Sequence, residues 1–191
     1  VAGLFAGPGI IDSFGDSCCV QVNFTPPGAA RFLGLPMCEI AGRMVELDLL
    51  DDPGISDLMQ RLGDAASPDQ CLDLASAFVE RRLAQCPLPV PAVTEAYRLL
   101  LASHGAISVG TLAERVGWSR KHLAERFRHD IGLTPKAVAR IVRFNRAAAM
   151  AGDTRGWADV AAAAGYADQA HLVREFRELA GATPAAWQRG R

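Results

Sequence analysis

The sequence lacks any apolar run long enough to cross a membrane as a helix, although half of its 191 residues are hydrophobic. Cysteines at the spacing of a zinc site are missing too. The number of cysteines is odd and the sequence shows no signal peptide, so we expect reduced, cytosolic thiols. A role as buried apolar side chains is favoured over a role in redox sensing. The five are Cys18, Cys19, Cys38, Cys71 and Cys86, of which the adjacent Cys18 and Cys19 cannot form an unstrained bridge.

A catalytic constellation is also missing. All four histidines lie in the second half of the chain and all five cysteines in the first, so no cysteine has a histidine base nearby in sequence. Nothing in the sequence favours His122 or His171 as a metal ligand, because no second ligand lies near either. The sequence therefore predicts that the chain is not an enzyme and uses no cofactor or metal.

Charge is divided unevenly along the chain. Residues 1–89 hold 5 Lys/Arg and 12 Asp/Glu, a net of −7, whereas residues 90–191 hold 15 and 9, a net of +6. A basic surface attracts the phosphate backbone of nucleic acid, and an acidic one avoids it. The alternative is that the charges are divided by chance. The sequence pattern of the basic half decides between chance and nucleic-acid binding.

Residues 108–128, SVGTLAERVGWSRKHLAERFR, predict two short helices folded against each other. Gly117 suits the turn between them, because glycine adopts a positive φ without steric penalty. Ser119 is a ready N-cap for the second helix, whose apolar face carries Leu123 and Phe127. This is the pattern of a helix-turn-helix reader of DNA.

The same pattern returns 48 or 49 residues later in the chain. Asp168 takes the place of the N-cap Ser119, and both copies end in a glycine followed by Thr-Pro, which starts a new helix. Two matches of this length indicate an internal repeat. The paired positions are Ala113/Ala161, Gly117/Gly165, His122/His171, Leu123/Leu172, Phe127/Phe176, Arg128/Arg177, Gly132/Gly181, Thr134/Thr183 and Pro135/Pro184.

The repeat, its spacing and the endings GLTPKAVARIVRFNRA and GATPAAWQR resemble the DNA-binding domain of AraC/XylS-type bacterial transcription regulators. The resemblance covers roughly residues 92–190. It implies a mainly α fold of seven helices, in two helix-turn-helix subdomains joined by a long helix. Each second helix, at about 119–129 and about 168–179, is expected to enter a major groove.

The acidic half has a weaker pattern. Residues 19–24 alternate well enough to predict a strand, and residues 53–65 and 68–85 predict amphipathic helices, so we expect a small α+β region. VNFTPPGAARFLGLPMCEIAGRMVELDLL resembles the end of an N-terminal domain, of uncertain function, found ahead of AraC-type DNA-binding domains. In such proteins that domain begins earlier, so we expect a truncated region here, the alternative being a complete small domain with loose N-terminal strands.

These patterns predict three parts. Residues 1–86 form an acidic sensor or oligomerisation region, residues 87–91 a proline-rich linker, and residues 92–191 the DNA-binding domain. The predicted partner is double-stranded DNA, with a small-molecule effector or a homodimer through the first region, and RNA polymerase. The expected location is the cytoplasm, at the nucleoid.

The resemblance assigns base contacts to early positions of each recognition helix and one turn later. Arginine or lysine can donate to guanine, glutamate can accept from cytosine, glutamine can pair with adenine, and alanine can touch a thymine methyl. For Glu125 an ion pair with Lys121 is an equal alternative. The predicted base-reading residues are Arg120, Lys121, Glu125, Gln169, Ala170 and Arg174.

Phosphate contacts, which position a protein without specifying sequence, are expected from a second set of cations. Three of them recur at three-residue steps on the joining helix and form an inclined basic stripe. The predicted set is Arg128, Arg140, Arg143, Arg146 and Arg177. The sequence thus predicts a sequence-specific transcription regulator; the alternatives are an architectural DNA binder without effector and a DNA-alkylation repair regulator, which the cysteine spacing disfavours.

Overall fold

The computed structural model describes residues 1–8, 19–151 and 156–189, and within them the chain is mainly helical. The strand predicted at residues 19–24 is wrong, because these residues form no strand and have no partner strand to supply ladder hydrogen bonds. Their last residue, Phe24, instead stacks on Phe32 with ring centroids 4.7 Å apart. The described β structure is confined to isolated bridges such as the antiparallel pair Ala2 and Met44, so the expected α+β region is made of helices and loops.

Three helices form the N-terminal region: α1 (Pro26–Leu33), α2 (Pro53–Gly63) and α3 (Pro68–Gln85). Each begins with proline after a side-chain N-cap, which is Thr25, Asp52 or Ser67. The helix expected at 68–85 is confirmed at both ends, and the one expected at 53–65 ends two residues early. Two 3₁₀ turns, Met37–Glu39 and Leu47–Leu50, lie between α1 and α2.

A small aromatic core holds these three helices together. Phe32 of α1, Ile55 of α2 and Phe78 of α3 are buried against one another. Arg82 closes the cluster, because its guanidinium donates to the Phe32 carbonyl at 2.6 Å, lies over the Phe32 ring and pairs with Asp52. Arg82 thus connects the capping residue of α2 to the end of α1.

Residues 86–90 are not helical, and seven further helices follow them in the described chain, as the resemblance implied. Two separate buried cores form among them, one centred on Leu100, Leu123 and Phe127 and the other on Leu172 and Phe176. The helices are α4 (Pro91–Ala102), α5 (Val109–Arg115), α6 (Arg120–Ile131), α7 (Pro135–Ala149), α8 (Trp157–Ala164), α9 (Gln169–Ala180) and α10 (Pro184–Arg189).

The N-terminal region packs on the carboxyl end of α6. Both α1 and the 3₁₀ turn Met37–Glu39 contact this helix. The approach is close at Gly132, where a methyl group would lie 3.0 Å from the Met37 carbonyl oxygen. The acidic region therefore touches the first predicted recognition helix directly.

Candidate nucleic-acid interface

The first helix-turn-helix unit, α5 and α6, is built by local signals in the sequence. Gly117 has a φ of +71° in the turn, and the Ser119 hydroxyl accepts a hydrogen bond from the His122 amide at 3.1 Å. Leu123 and Phe127 are fully buried on the inner face of α6. The opposite face of α6 is exposed, as the sequence predicted.

The second unit, α8 and α9, repeats the design. Gly165 ends α8 with a φ of +85°, and an Asp168 carboxylate oxygen accepts from the His171 amide at 2.6 Å. Leu172 and Phe176 take the places of the buried pair in the first unit. The ring of Phe176 is surrounded edge-on by Phe144, Trp157 and Trp187.

The predicted base-reading residues fall into two exposed groups, one on each recognition helix. In the first, Lys121 and Glu125 are 4.0 Å apart and 87% and 64% exposed, so their ion pair is too weak and too solvated to hold them. The Arg120 guanidinium lies over Gly110 of α5, where a methyl group would be 2.9 Å from a terminal nitrogen. In the second group, none of the three side chains has a hydrogen-bond or ion-pair partner among the described residues. That group is Gln169, Ala170 and Arg174.

The five cations predicted to meet phosphates separate into two kinds. Arg128 and Arg177 are exposed and Arg146 is half-buried, and within the described chain their side chains have no hydrogen-bond or ion-pair partner. Arg140 and Arg143 have internal partners instead. The basic stripe on α7 is therefore divided along its length, with Arg146 alone left without an internal ion pair.

The acceptor for both arginines is Glu175, a carboxylate on α9 whose side chain is only 6% exposed. Arg140 Nε donates to Glu175 Oε1 at 2.8 Å, and an Arg143 terminal nitrogen lies 3.6 Å from the same oxygen. His171 Nε2 is 3.5 Å away, and Arg140 also pairs with Glu178. We call Arg140, Arg143, His171 and Glu175 the interunit cluster.

The interunit cluster also reaches the first half of the domain. Arg143 donates to the carbonyl of Gly105, between α4 and α5, at 2.9 Å, and its guanidinium lies over the ring of Tyr166. The Glu175 hydrogen bond raises the pKa of Arg140. Burial, reinforced by the Glu175 charge, raises the pKa of the Tyr166 hydroxyl.

Glu175 is the residue that the sequence interpretation missed. A signal existed, because Glu175 lies three residues after Leu172 and four before Leu179, on the buried face of α9. A charged residue at such a position needs a partner of opposite charge. The stripe of arginines on α7 was available as that partner.

The described residues contain no cluster of metal-ligating side chains and no helix that is long and apolar enough to cross a membrane. Cys19, Cys38, Cys71 and Cys86 are free thiols, and Cys18 lies outside the described residues. Cys19 and Cys38 are exposed, so the expectation of buried cysteines is wrong for these two.

Comparisons with known proteins agree with this architecture. Residues 112–190 match the family described as helix-turn-helix domain. The chain is similar to the C-terminal domain of AraT, a response regulator from Geobacillus stearothermophilus, with 19% identity, a TM-score of 0.51, and coverage of 53% of this chain and 87% of that one. That likeness supports the fold.

Two further solved structures are similar over the same half. One is a transcriptional regulator with an AraC-type DNA-binding domain from Chromobacterium violaceum. It has 26% identity and a TM-score of 0.48, and the match covers 52% of this chain and 90% of that one. The other is the DNA-binding domain of AdpA, a global transcriptional factor, in complex with a target DNA. It has 26% identity and a TM-score of 0.49, and the match covers 53% of this chain and 93% of that one. No curated protein matches the chain. Residues 112–190 match a helix-turn-helix domain, and the C-terminal half of the chain shares the fold of the AraT C-terminal domain.

Proposed function

We propose that the chain binds double-stranded DNA sequence-specifically by placing α6 and α9 in successive major grooves. The observation that carries this is the duplicated unit, in which each second helix has one buried apolar face and one exposed polar face. The 15 residues of α7 between the units span about 22 Å at 1.5 Å per residue. Both recognition helices contact α7, α9 through Arg140 and Arg143. The proposal requires them to lie about 34 Å apart, the repeat of the major groove along one face of DNA.

Base readout is assigned to the exposed faces of the two recognition helices. On α9, Arg174 lies opposite the buried Leu172 and Phe176, so its guanidinium points away from the protein and toward the proposed groove. Gln169 and Ala170 lie in the first turn of the same helix. On α6 the proposed readers are Arg120, Lys121 and Glu125.

Selection of bound sites from random DNA, run on two variants, tests this assignment. Arg174→Ala should cost about 1 to 3 kcal/mol on the preferred site and relax the preference at one base pair, because a bidentate contact to guanine is lost. The matched control is Arg177→Ala, an exposed arginine of the same helix that we assign to a phosphate. It should weaken all sequences about equally. An unchanged motif with Arg174→Ala contradicts the assignment and moves readout to α6.

We also propose that the N-terminal region controls DNA binding through its contact with α6. Residues 1–86 are the sensing or oligomerising part, residues 87–91 the linker and residues 92–191 the DNA-binding part. Support comes from the packing of α1 and the turn Met37–Glu39 on the carboxyl end of α6. A shift of the N-terminal region would move the helix that carries Arg120 and Lys121.

Two glycines at equivalent places in the repeat provide a matched test of this control. Gly132 and Gly181 end α6 and α9 with φ of +95° and +69°, so alanine strains either cap. Both methyl groups would meet the N-terminal region, but at different distances. At Gly132 the methyl group would press against the Met37 carbonyl oxygen at 3.0 Å, whereas at Gly181 it would lie at an ordinary contact distance of 3.5 Å from Pro8. Gly132→Ala should change DNA affinity in the full chain beyond the effect of Gly181→Ala. Equal effects of the two variants would contradict control through this contact.

A further inference from the structure

We propose that Glu175 is a positioning residue that fixes the relative orientation of the two recognition helices and so sets the half-site spacing that the chain accepts. This inference rests on the proposed function. Glu175 belongs to α9 but faces inward, with a side chain that is 6% exposed, so it cannot reach DNA. Its role must act through the residues that it holds.

Burial of a carboxylate is costly unless charge and hydrogen bonds compensate it. For Glu175 the compensation comes from Arg140 and Arg143, both on the joining helix α7. Salt bridges and hydrogen bonds depend on direction and distance, whereas apolar contacts tolerate sliding and rotation. A buried ion cluster between α7 and α9 therefore favours one crossing geometry over its neighbours.

The cluster lies on the segment of α7 between the two buried cores, where the apolar side chains Val142 and Phe144 are only partly buried. Among the described residues the buried side chains of the first core end on α7 at Ala139, and those of the second begin at Ala147. Arg140 and Arg143 occupy the segment between these two points. Orientation between the units thus depends on α7 itself, on the partly buried Val142 and Phe144, and on the polar contacts along this segment.

Arg143 extends the connection from α9 into the first half of the domain. While one terminal nitrogen faces Glu175, the other donates to the Gly105 carbonyl at 2.9 Å. Gly105 in turn packs on α7, so closely that a methyl group there would lie 2.5 Å from the Ala139 carbonyl oxygen. The path from α9 through Arg143 to the turn before α5 is short and made of directional contacts.

Site selection with two half-sites separated by spacers of varied length tests the proposal in the full chain. Glu175→Gln removes the charge and keeps the shape. The matched control is Glu178→Gln, since Glu178 also pairs with Arg140 but is 61% exposed. Wild type and Glu178→Gln should select one spacing. Glu175→Gln should accept several, keep the base preferences of each half-site, and lose on the order of tenfold affinity at the original spacing, as the second unit engages less efficiently.

A second variant keeps the test decisive if Glu175→Gln does not fold, which circular dichroism would reveal. Arg143→Gln breaks the same contact from the α7 side and leaves α9 unaltered. A single unchanged spacing in every folded variant overturns the inference and leaves the proposed function standing. If the wild-type chain itself selects no paired half-sites, the proposed function fails and this inference with it.

Discussion

The salt dependence of DNA affinity distinguishes arginines that meet phosphates from those engaged inside the domain. Each phosphate contact releases counterions and adds about 0.9 to the slope of log affinity against log salt. Five cations are predicted to meet phosphates, and removing Arg140 and Arg143 leaves three of them without an internal ion pair among the described residues. They are Arg128, Arg146 and Arg177.

With all three engaged, the slope is about −2.7, so affinity falls roughly 40-fold between about 50 and about 200 mM salt. Fluorescence anisotropy with a labelled duplex carrying the selected site, repeated over a salt series, measures the slope. A slope near zero would refute DNA binding as the main function.

Single substitutions divide the slope among residues. Arg177→Ala should make it shallower by about 0.9, whereas Arg143→Ala should lower affinity at every salt concentration without altering the slope, because its guanidinium is turned toward Glu175 and Gly105. Arg98→Ala is the control, since Arg98 pairs with Glu95 on α4 and should change neither quantity. If Arg143→Ala also reduces the slope by about 0.9, Arg143 meets a phosphate and its assignment to the interunit cluster is wrong.

Three further predictions concern the cap of α9, the turn before α5 and the N-terminal core. Asp168→Ser should keep the N-cap of α9, as Ser119 caps α6, and remove a negative charge close to the DNA phosphates in the proposed complex. We therefore expect duplex affinity to rise roughly two- to fivefold in anisotropy titrations. Unchanged or weaker binding would contradict this. At Gly105, with a φ of +76°, an added methyl group would lie 2.5 Å from a carbonyl oxygen, so Gly105→Ala should lower the free energy of unfolding in urea by about 2 to 4 kcal/mol. Gly117→Ala should lower it by only about 1 kcal/mol, because nothing lies within 4 Å of that methyl group. Equal losses would refute the close approach at Gly105. The hydrogen bond from Arg82 lowers the pKa of Asp52, so this pair stabilises the fold above the ordinary pKa of 3.8, and its contribution is lost as the pH falls below that value. Hydrogen exchange of α2 should therefore become faster at these low pH values. An Asp52→Asn variant should not show this acceleration.

The helix-turn-helix units could be predicted because their signals are local. Ser119 and Asp168 cap helices within three residues, and Gly117 takes a backbone conformation that its neighbours cannot. The helix at 68–85 likewise starts at a capped proline. In each case the sequence element and its physical effect lie within one turn.

Non-local contacts explain what the sequence did not reveal. Residues 19–24 alternate like a strand, but no partner strand is paired with them, and a strand cannot be judged without its partner. Arg140 and Arg143 repeat like a phosphate-binding stripe, yet Glu175 lies 35 residues beyond Arg140 in the chain and meets it only after folding. The spacing of residues along one helix shows which of them share a face, but it does not show whether that face contacts DNA or another helix of the protein.

Two separate buried cores on one joining helix have a kinetic consequence. Each core is a candidate cooperative unit that opens with its own free energy, so hydrogen exchange should resolve two protection classes across residues 91–189. If each unit holds DNA through its own recognition helix, as proposed, we expect the protein to leave DNA in two steps, one unit releasing while the other stays bound. Competing DNA can then capture the freed half before it rebinds, so the lifetime of the complex would shorten as competitor concentration rises.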